Sequence, residues 1–225
     1  MDLISNLFPN VVTKIPEFIT SFNQTIYMVL VSGIISFFIG IIIGVLLIVT
    51  KDHGILENKI IYFTLDKVVN TFRTIPFIIL LAALIPLTRF IVGSAIGTKG
   101  AIIPLIFGTV PFFSRQIESA LAEMDHGLIE AAQSMGSSPV EIIFRVYLKE
   151  GIPNIVRAVT ITINSLIGLT AMAGAVGGGG LGDFAIRYGH QRNQVDVTYA
   201  TVIVLIVLVN IVQGLSNYII RKTTH

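Results

Sequence analysis

The chain has 225 residues, of which 53% are hydrophobic and 12% are charged, and its formal net charge at pH 7 is +2. Soluble domains carry about 25% charged residues, so this composition predicts a polytopic membrane protein. The small net charge argues against a nucleic-acid partner, and the absence of cysteine excludes disulfides and thiolate chemistry. The four histidines are scattered without metal-ligand spacing, which argues against a metal site.

The first apolar segment runs without a charge from Phe18 to Thr50, which is too long for the core of a signal peptide. It predicts a first membrane span near residues 22–48, after an interfacial lead-in at residues 1–19. Small residues recur in this span at every fourth position: Ser32, Ser36, Gly40 and Gly44. Such a stripe predicts close packing against another helix.

Four further segments approach the roughly 20 apolar residues that a spanning helix needs. They lie near residues 70–88, 98–118, 153–174 and 197–219. Together with the first segment they predict an all-α membrane protein of about five transmembrane helices. Pro76 and Pro86 predict a kink in the second segment, because proline leaves backbone groups without their helical partners. Arg73, at the entry of that segment, is expected to lie at the interface or to pair, and the mixed stretch at 58–70 to form an interfacial helix.

Polar residues follow one line of the fourth segment. Asn164, Ser165 and Gly168 lie there, with Thr160 one turn earlier. Amide and hydroxyl groups at this depth face other helices or a water path rather than lipid. Interhelical packing and the lining of a translocation path are therefore both open for these residues.

The glycine-rich run from Gly174 to Gly182 matches the GxGxxG pattern formally, at positions 177, 179 and 182. A dinucleotide site needs that pattern after a strand, with an acid about 20 residues later. Here the run follows a membrane helix and the acid spacing differs, so we expect no cofactor and interpret the run as a flexible or closely packed external loop. The chain has no GxxxxGK[ST] phosphate loop, so ATP is not expected to bind to it.

The polar stretch 125–152 predicts two short helices joined by a sharp turn. Asp125 is a suitable N-cap for the first helix, and Gly136 can end it in a left-handed conformation. Ser138 and Glu141 have the spacing of a capping box at the start of the second. Helical spacing predicts one apolar face on each helix. That of the first comprises Leu128, Ala131, Ala132 and Met135, and that of the second comprises Val140, Ile143, Phe144 and Tyr147.

These features alone also fit an amphipathic hairpin lying on the bilayer surface. The loop contains Glu130-Ala131-Ala132, then Gly136, then Val146 and Leu148, and this order resembles the cytoplasmic EAA loop of ABC-importer permeases. In that family the loop is the coupling helix, which docks into a groove of the ATP-binding subunit. The resemblance implies that coupling to such a subunit involves Glu130, Ala131, Ala132, Met135 and Gly136. Lys149 stands where the family usually has proline, so the second helix is expected to run further.

The resemblance covers about residues 20–215 and extends to the methionine-import branch of these permeases. Its more specific stretches are Thr71–Leu80, Ile85–Arg89, and Gly174–Gly182 followed by Tyr188-Gly189. It implies a type I ABC-importer permease fold with a cytoplasmic tail at 216–225. It also implies two permease copies, two ATP-binding subunits that hold the ATP, and an extracytoplasmic methionine-binding protein. The chain is then a transport permease and not an enzyme, with no cofactor or metal of its own.

The placement of Lys and Arg predicts the orientation. With the 125–152 loop in the cytoplasm, ten of the 15 lie inside or at inner helix ends. This places the N-terminus outside and the C-terminus inside a bacterial cell membrane. A permease for another amino acid or a short peptide stays open, whereas an ion-coupled carrier would need intramembrane acids. A membrane-embedded enzyme would need a reactive cluster, and none is visible, since Glu118, Glu123 and Asp125 are expected to be solvated.

Overall fold

The computed structural model describes residues 7–223, and within that part of the chain it contains helices and turns but no β-strand. The α-helices are α1 (Pro9–Val12), α2 (Ile15–Thr50), α3 (Lys59–Thr74), α4 (Phe77–Ala83), α5 (Ile85–Val92), α6 (Gly97–Ala122), α7 (His126–Ser134), α8 (Pro139–Glu141), α9 (Ile152–Ala173), α10 (Gly180–Phe184) and α11 (Val195–Thr223). Three π-helices extend α8, α9 and α10, over Ile142–Leu148, Gly174–Gly178 and Ala185–His190. Residues 1–6 of the predicted lead-in and 224–225 of the predicted tail lie outside the described residues.

Among the described residues, four helical segments are long and apolar enough to cross a membrane. They are Ile15–Thr50, Gly97–Ala122, Ile152–Gly178 and Val195–Thr223. Each contains one of the segments predicted from hydropathy, near 22–48, 98–118, 153–174 and 197–219. The all-α fold is therefore confirmed, and each of these four segments has the length and hydropathy of a membrane span.

The kink predicted in the segment near 70–88 is a break, because the structure divides that segment among α3, α4 and α5. The break comes at Ile75, whose backbone is extended (φ −77°, ψ 120°), directly before Pro76. A proline disfavours the helical conformation of the residue that precedes it, so α3 ends there. Pro86 lies in the first turn of α5, where proline is tolerated. Arg73 is exposed near the end of α3, as an interfacial position requires.

The chain divides into two compact units. The first comprises Met1–Ile34, Pro76–Phe107 and Ile163–Val212, and the second comprises Ile35–Ile75, Gly108–Thr162 and Gln213–His225. The chain therefore passes from one unit to the other five times: within α2, between α3 and α4, and within α6, α9 and α11. The 125–152 loop belongs wholly to the second unit, and the glycine-rich run wholly to the first.

The two glycines of the small-residue stripe of α2 pack closely in the second unit, as the spacing of the stripe predicts. A Cβ on Gly40 would lie 2.5 Å from the Phe113 ring of α6. A Cβ on Gly44 would lie 2.6 Å from Ile117 and 2.7 Å from the carbonyl oxygen of Ser114. The two backbones approach so closely that only glycine fits, which is how small residues act between membrane helices.

In the first unit, the glycine-rich run forms helical turns rather than the external loop that its composition suggests. Gly177, Gly179 and Gly180 have φ values of 92°, 76° and 80°, a left-handed conformation that suits glycine. The backbone N–H of Gly180 donates to Gln24 Oε1 at 2.8 Å, and that of Leu181 donates to a hydroxyl of α2 at the same distance. The run is therefore closely packed, which is one of the two interpretations left open by the sequence.

In the second unit, Arg115 of α6 binds helix α3 through an ion pair and a hydrogen bond. Its guanidinium lies 2.5 Å from a carboxylate oxygen of Asp66 and 2.5 Å from one of Glu118, and it donates to Asn70 Oδ1 at 3.1 Å. Glu118 is only 8% exposed, so the expectation that it is solvated is wrong. A carboxylate can be buried there because Arg115 compensates its charge. The other two acids before the loop are exposed, as expected.

The close approach at Gly44 can be tested by Gly44→Ala. The added methyl group overlaps Ile117, and overpacking of this kind costs about 1–3 kcal/mol. We expect a lower thermal unfolding midpoint for the purified protein in detergent. Gly214→Ala is the matched control, because no atom lies within 4 Å of a Cβ at that helical glycine, and alanine is the better helix former. Equal loss of stability in both variants would contradict the packing described.

Candidate functional site

The first helix of the 125–152 loop, α7, has the two ends that its sequence predicts. At its start, Asp125 Oδ1 accepts a hydrogen bond from the Gly127 N–H at 2.8 Å. At its end, the Ser137 N–H donates to the Ala132 carbonyl at 3.0 Å, and the Gly136 N–H donates to that of Gln133 at 2.9 Å. These two bonds form a Schellman motif, which requires the left-handed φ of 79° observed at Gly136.

The second helix begins with the predicted capping box. The Ser138 hydroxyl oxygen accepts from the Glu141 N–H at 3.3 Å, and Glu141 Oε2 accepts from the Ser138 N–H at 2.9 Å. The Ser138 hydroxyl also donates to Glu141 Oε2 at 2.9 Å. These hydrogen bonds from Ser138 stabilise the carboxylate and hold the pKa of Glu141 below its usual value. Glu141 is therefore ionised at neutral pH, and the turn between the two helices is fixed from both sides.

One side of the hairpin is buried in the apolar core of the second unit. Its buried side chains are Ile129, Ala132, Ile142 and Tyr147. They join a cluster that includes Val49 at the end of α2, Leu121 at the end of α6 and Ile155 at the start of α9. The hairpin is thus packed onto the ends of three helices and is not a free surface segment.

The predicted apolar face of α7 is only partly the buried one. Ala132 is 6% exposed, but Leu128 is 46% exposed, Met135 is 78% exposed and Ala131 is exposed. The core takes Ile129 in their place. Helical spacing shows that these side chains share a side of the helix, but it does not show which of them the chain buries itself.

The predicted face of the second helix differs from the buried one for a geometric reason. Residues Ile142–Leu148 form a π-helix, in which hydrogen bonds join residues five apart. Ile142 and Tyr147, five apart, are therefore the pair that is buried, at 2% and 3% exposed. Val140 and Phe144 are left 62% and 64% exposed.

The hairpin consequently presents an exposed apolar surface, which we call the loop surface: Leu128, Ala131, Met135, Val140 and Phe144. Of the five residues that the resemblance assigns to coupling, four are exposed: Glu130, Ala131, Met135 and Gly136. Ala132 is the exception, because it lies in the core. Val140 and Phe144 were not predicted to be exposed, and no signal at the α-helical period of 3.6 residues could have identified them.

The helical backbone continues through Lys149 to Glu150, as the replacement of proline at position 149 predicts. Gly151 then joins the hairpin to α9 with no room for a side chain. A Cβ there would lie 2.9 Å from Leu121 and 3.2 Å from the Met124 sulfur. The connection between the loop and α9 is therefore tight.

The polar line of α9 divides into residues with different roles. Thr160 is hydrogen-bonded to Ser216 of α11, with their hydroxyl oxygens 2.6 Å apart, so it serves interhelical packing. Further along the helix, the Asn164 side-chain oxygen is buried and has no hydrogen-bond partner among the described residues. Ser165 is half-buried, and Gly168 is exposed, with no atom within 4 Å of a Cβ placed on it. Asn164 and Gly168 thus keep unused hydrogen-bonding capacity and open space.

A model of the family "Binding-protein-dependent transport system inner membrane component" matches residues 37–225. The chain belongs to this family. It is therefore a multi-pass inner-membrane component of such a transport system, as the resemblance of the loop predicts.

Individual relatives in this family match almost the whole chain. The "Probable D-methionine transport system permease protein MetI" of Vibrio cholerae serotype O1 is 49% identical over 207 residues, which cover 92% of each chain. The "Methionine import system permease protein MetP" of Bacillus subtilis (strain 168) is 40% identical over 217 residues, or 96% of this chain and 97% of that one.

Two solved structures have a similar fold. "Inward facing conformations of the MetNI methionine ABC transporter" includes a chain with a TM-score of 0.90 and 40% identity, and the match covers 100% of both chains. "Crystal structure of an amino acid ABC transporter with histidines" has a TM-score of 0.78 at 18% identity, which is a likeness of fold alone. The predicted type I importer permease fold is confirmed.

Proposed function

We propose that this chain is the permease subunit of an ATP-driven importer that translocates methionine across the bacterial inner membrane. The observation that carries the proposal is the loop surface, an apolar patch on a hairpin whose other side is buried. Met135 and Phe144, 78% and 64% exposed, need a partner to cover them, because an exposed apolar patch marks an interaction site.

The partner that we propose is the ATP-binding subunit, which holds the ATP that this chain does not bind. Helix α7 has nine residues, fewer than the roughly 12–15 that an isolated helix needs in water, so its caps and the core beneath fix it in place. A short fixed helix with an apolar side suits a groove on another protein. Glu130 adds an exposed charge that a basic group of the partner can meet. Ala131 permits close approach, and Gly136 sets the direction of the next helix.

Methionine is the substrate that the relatives support. Two of them carry methionine in their names and match over 90% of this chain at 40–49% identity. The proposed assembly has two copies of this permease, two ATP-binding subunits and an extracytoplasmic methionine-binding protein. Another amino acid or a short peptide is the alternative substrate within the same assembly.

For the translocation path we propose Asn164, Ser165 and Gly168. The support is the unpartnered amide oxygen of Asn164 and the open space beside Gly168. A buried polar atom without a partner is costly in a membrane protein, so it is expected to meet water or a polar group that passes. A zwitterionic amino acid supplies such groups.

For the orientation we propose an external N-terminus and a cytoplasmic C-terminus, with 1–19 as an external lead-in, 125–152 as a cytoplasmic loop and 216–225 as a cytoplasmic tail. Four helical segments are long enough to span, so an odd number of crossings needs a fifth from the broken pair α4 and α5.

The substrate is tested with the complete complex and its binding protein in vesicles. We expect ATP-dependent methionine uptake that other amino acids do not inhibit. Asn164→Leu is expected to lower uptake while the complex stays assembled, because leucine removes the free amide. Uptake of a different amino acid with no uptake of methionine would overturn the substrate and leave the permease assignment intact. Unchanged uptake in Asn164→Leu would show that Asn164 serves interhelical packing and does not line the translocation path.

The coupling surface is tested with Met135→Asp in the same vesicles. Met135 lies outside the core of this chain, so the fold is kept. Burying a methionine in a partner contributes about 1.5–3 kcal/mol. We therefore expect at least a ten-fold weaker association with the ATP-binding subunit, measured by co-purification, and a matching loss of uptake. Ser134→Asp is the control, because it adds the same charge at an exposed neighbour outside the loop surface. If the Met135→Asp variant associated normally with the ATP-binding subunit, the hairpin would be interpreted as a segment on the membrane surface.

The orientation is tested by single cysteines in this cysteine-free chain, probed with impermeant thiol reagents on intact and permeabilised cells. We expect Ser94→Cys and Arg192→Cys to react from outside. Glu57→Cys and Gln133→Cys should react only after permeabilisation. All four positions are exposed. Reaction of position 94 only after permeabilisation would show that α4 and α5 do not cross.

A further inference from the structure

Helix α3 has two faces of different character, both within the second unit. One face is docked, with Val69 3% exposed and Asp66 paired to Arg115. The other face leaves Ile60 81% exposed and Phe63 58% exposed. Ile60 is one of the most exposed apolar side chains in the described part of the chain, and exposing apolar surface to water is unfavourable. An amphipathic helix beside the end of a membrane span is the kind of element that lies in the bilayer interface.

Two cations flank the aromatic residue of this exposed face. Lys59, Phe63 and Lys67 follow one another at i, i+4 and i+8, so they lie along one strip of the helix. The Lys67 ammonium lies 4.2 Å from the centre of the Phe63 ring, as in a cation–π contact. Lys59 is 3.4 Å from Asp52, but both side chains are at least 70% exposed. An ion pair so exposed is weak and can yield to a stronger anion.

A cavity of about 460 Å³ opens beside this strip, between the end of α2 and the start of α3. It is lined by Thr50, Ile60, Tyr62, Phe63 and Thr64 and by the charged residues Lys59 and Asp52. This volume is within the range of small-molecule sites, which are mostly apolar with a few polar groups that fix orientation. The ligand that fits has an apolar body and an anionic end.

We propose that this cavity binds one anionic phospholipid, with its phosphate held by Lys59 and an acyl chain along Ile60 and Phe63. Lys67, further along the same strip, adds to the electrostatic attraction for the phosphate. A lipid is favoured over a protein because the cavity adjoins the end of a spanning helix. Apolar residues bordered by lysines are also the pattern by which interfacial helices select anionic lipids. The proposal rests on the membrane assignment of the chain and not on its substrate, so it stands or falls separately from methionine transport.

The test places a fluorophore in the cavity through Thr64→Cys, the single cysteine of the chain, in the complete complex reconstituted into vesicles. Brominated phosphatidylglycerol and brominated phosphatidylcholine are compared as quenchers at equal mole fraction. We expect the anionic lipid to quench more strongly. Removing charge with Lys59→Gln or Lys67→Gln should lower the relative affinity for it about five-fold for each lysine. Co-purification with the ATP-binding subunit shows that each variant is folded.

Lys149→Gln is the control, because it removes an exposed cation from the 125–152 loop and should leave the preference unchanged. Equal quenching by both lipids would show ordinary annular lipid and overturn the proposal. Quenching by neither would show that protein covers this face, and would also overturn it. If Lys149→Gln lowered the preference for the anionic lipid as much as Lys59→Gln does, the preference would reflect general surface charge. That result would also overturn the proposal.

Discussion

The apolar cluster beneath the hairpin is the interaction on which the loop depends. Ile142 and Tyr147 pack with Val49, Leu121 and Ile155, which belong to the ends of three different helices. Full burial of one such side chain contributes about 1.5–3 kcal/mol, whereas a nine-residue helix has little stability of its own. Close-packed interiors transmit displacement rather than absorb it. A displacement of the hairpin is therefore expected to move the packed ends of α2, α6 and α9 together.

The joint at Gly151 makes this transmission direct. The glycine lies against Leu121 and Met124 with no space for a Cβ, so the hairpin cannot swing at this point without moving the end of α6. The Schellman turn at Gly136 and the capping box at Ser138 remove the same freedom at the other end of the second helix. With both ends of this helix fixed and one side buried, the hairpin moves only together with the core beneath it.

Hydropathy located most of the fold because the bilayer imposes a minimum length on an apolar helix, and capping located the loop because Asp125, Gly136 and Ser138 act on immediate neighbours. Pro76 predicted a kink near Ile75 for the same local reason, although hydropathy alone is continuous there and does not show that the helix ends. Two features were missed because each depends on more than local sequence. The pair of Arg115 and Asp66 joins residues 49 positions apart. The π-helix after α8 changes the residue spacing that decides which side chains are buried.

Helical periodicity shows which apolar residues share a face of a helix, but it does not show what covers that face. The second unit illustrates this difference. Among the apolar side chains that its described part leaves exposed are those of the loop surface and those of α3. Lysines border the surface of α3, and its cavity adjoins the end of a span, which suits the headgroup and chain of an anionic lipid. The loop surface instead lies on a rigidly capped hairpin beside Glu130, which suits a protein groove with a basic rim. The charges around an apolar surface, more than its area, therefore decide which partner we assign to it.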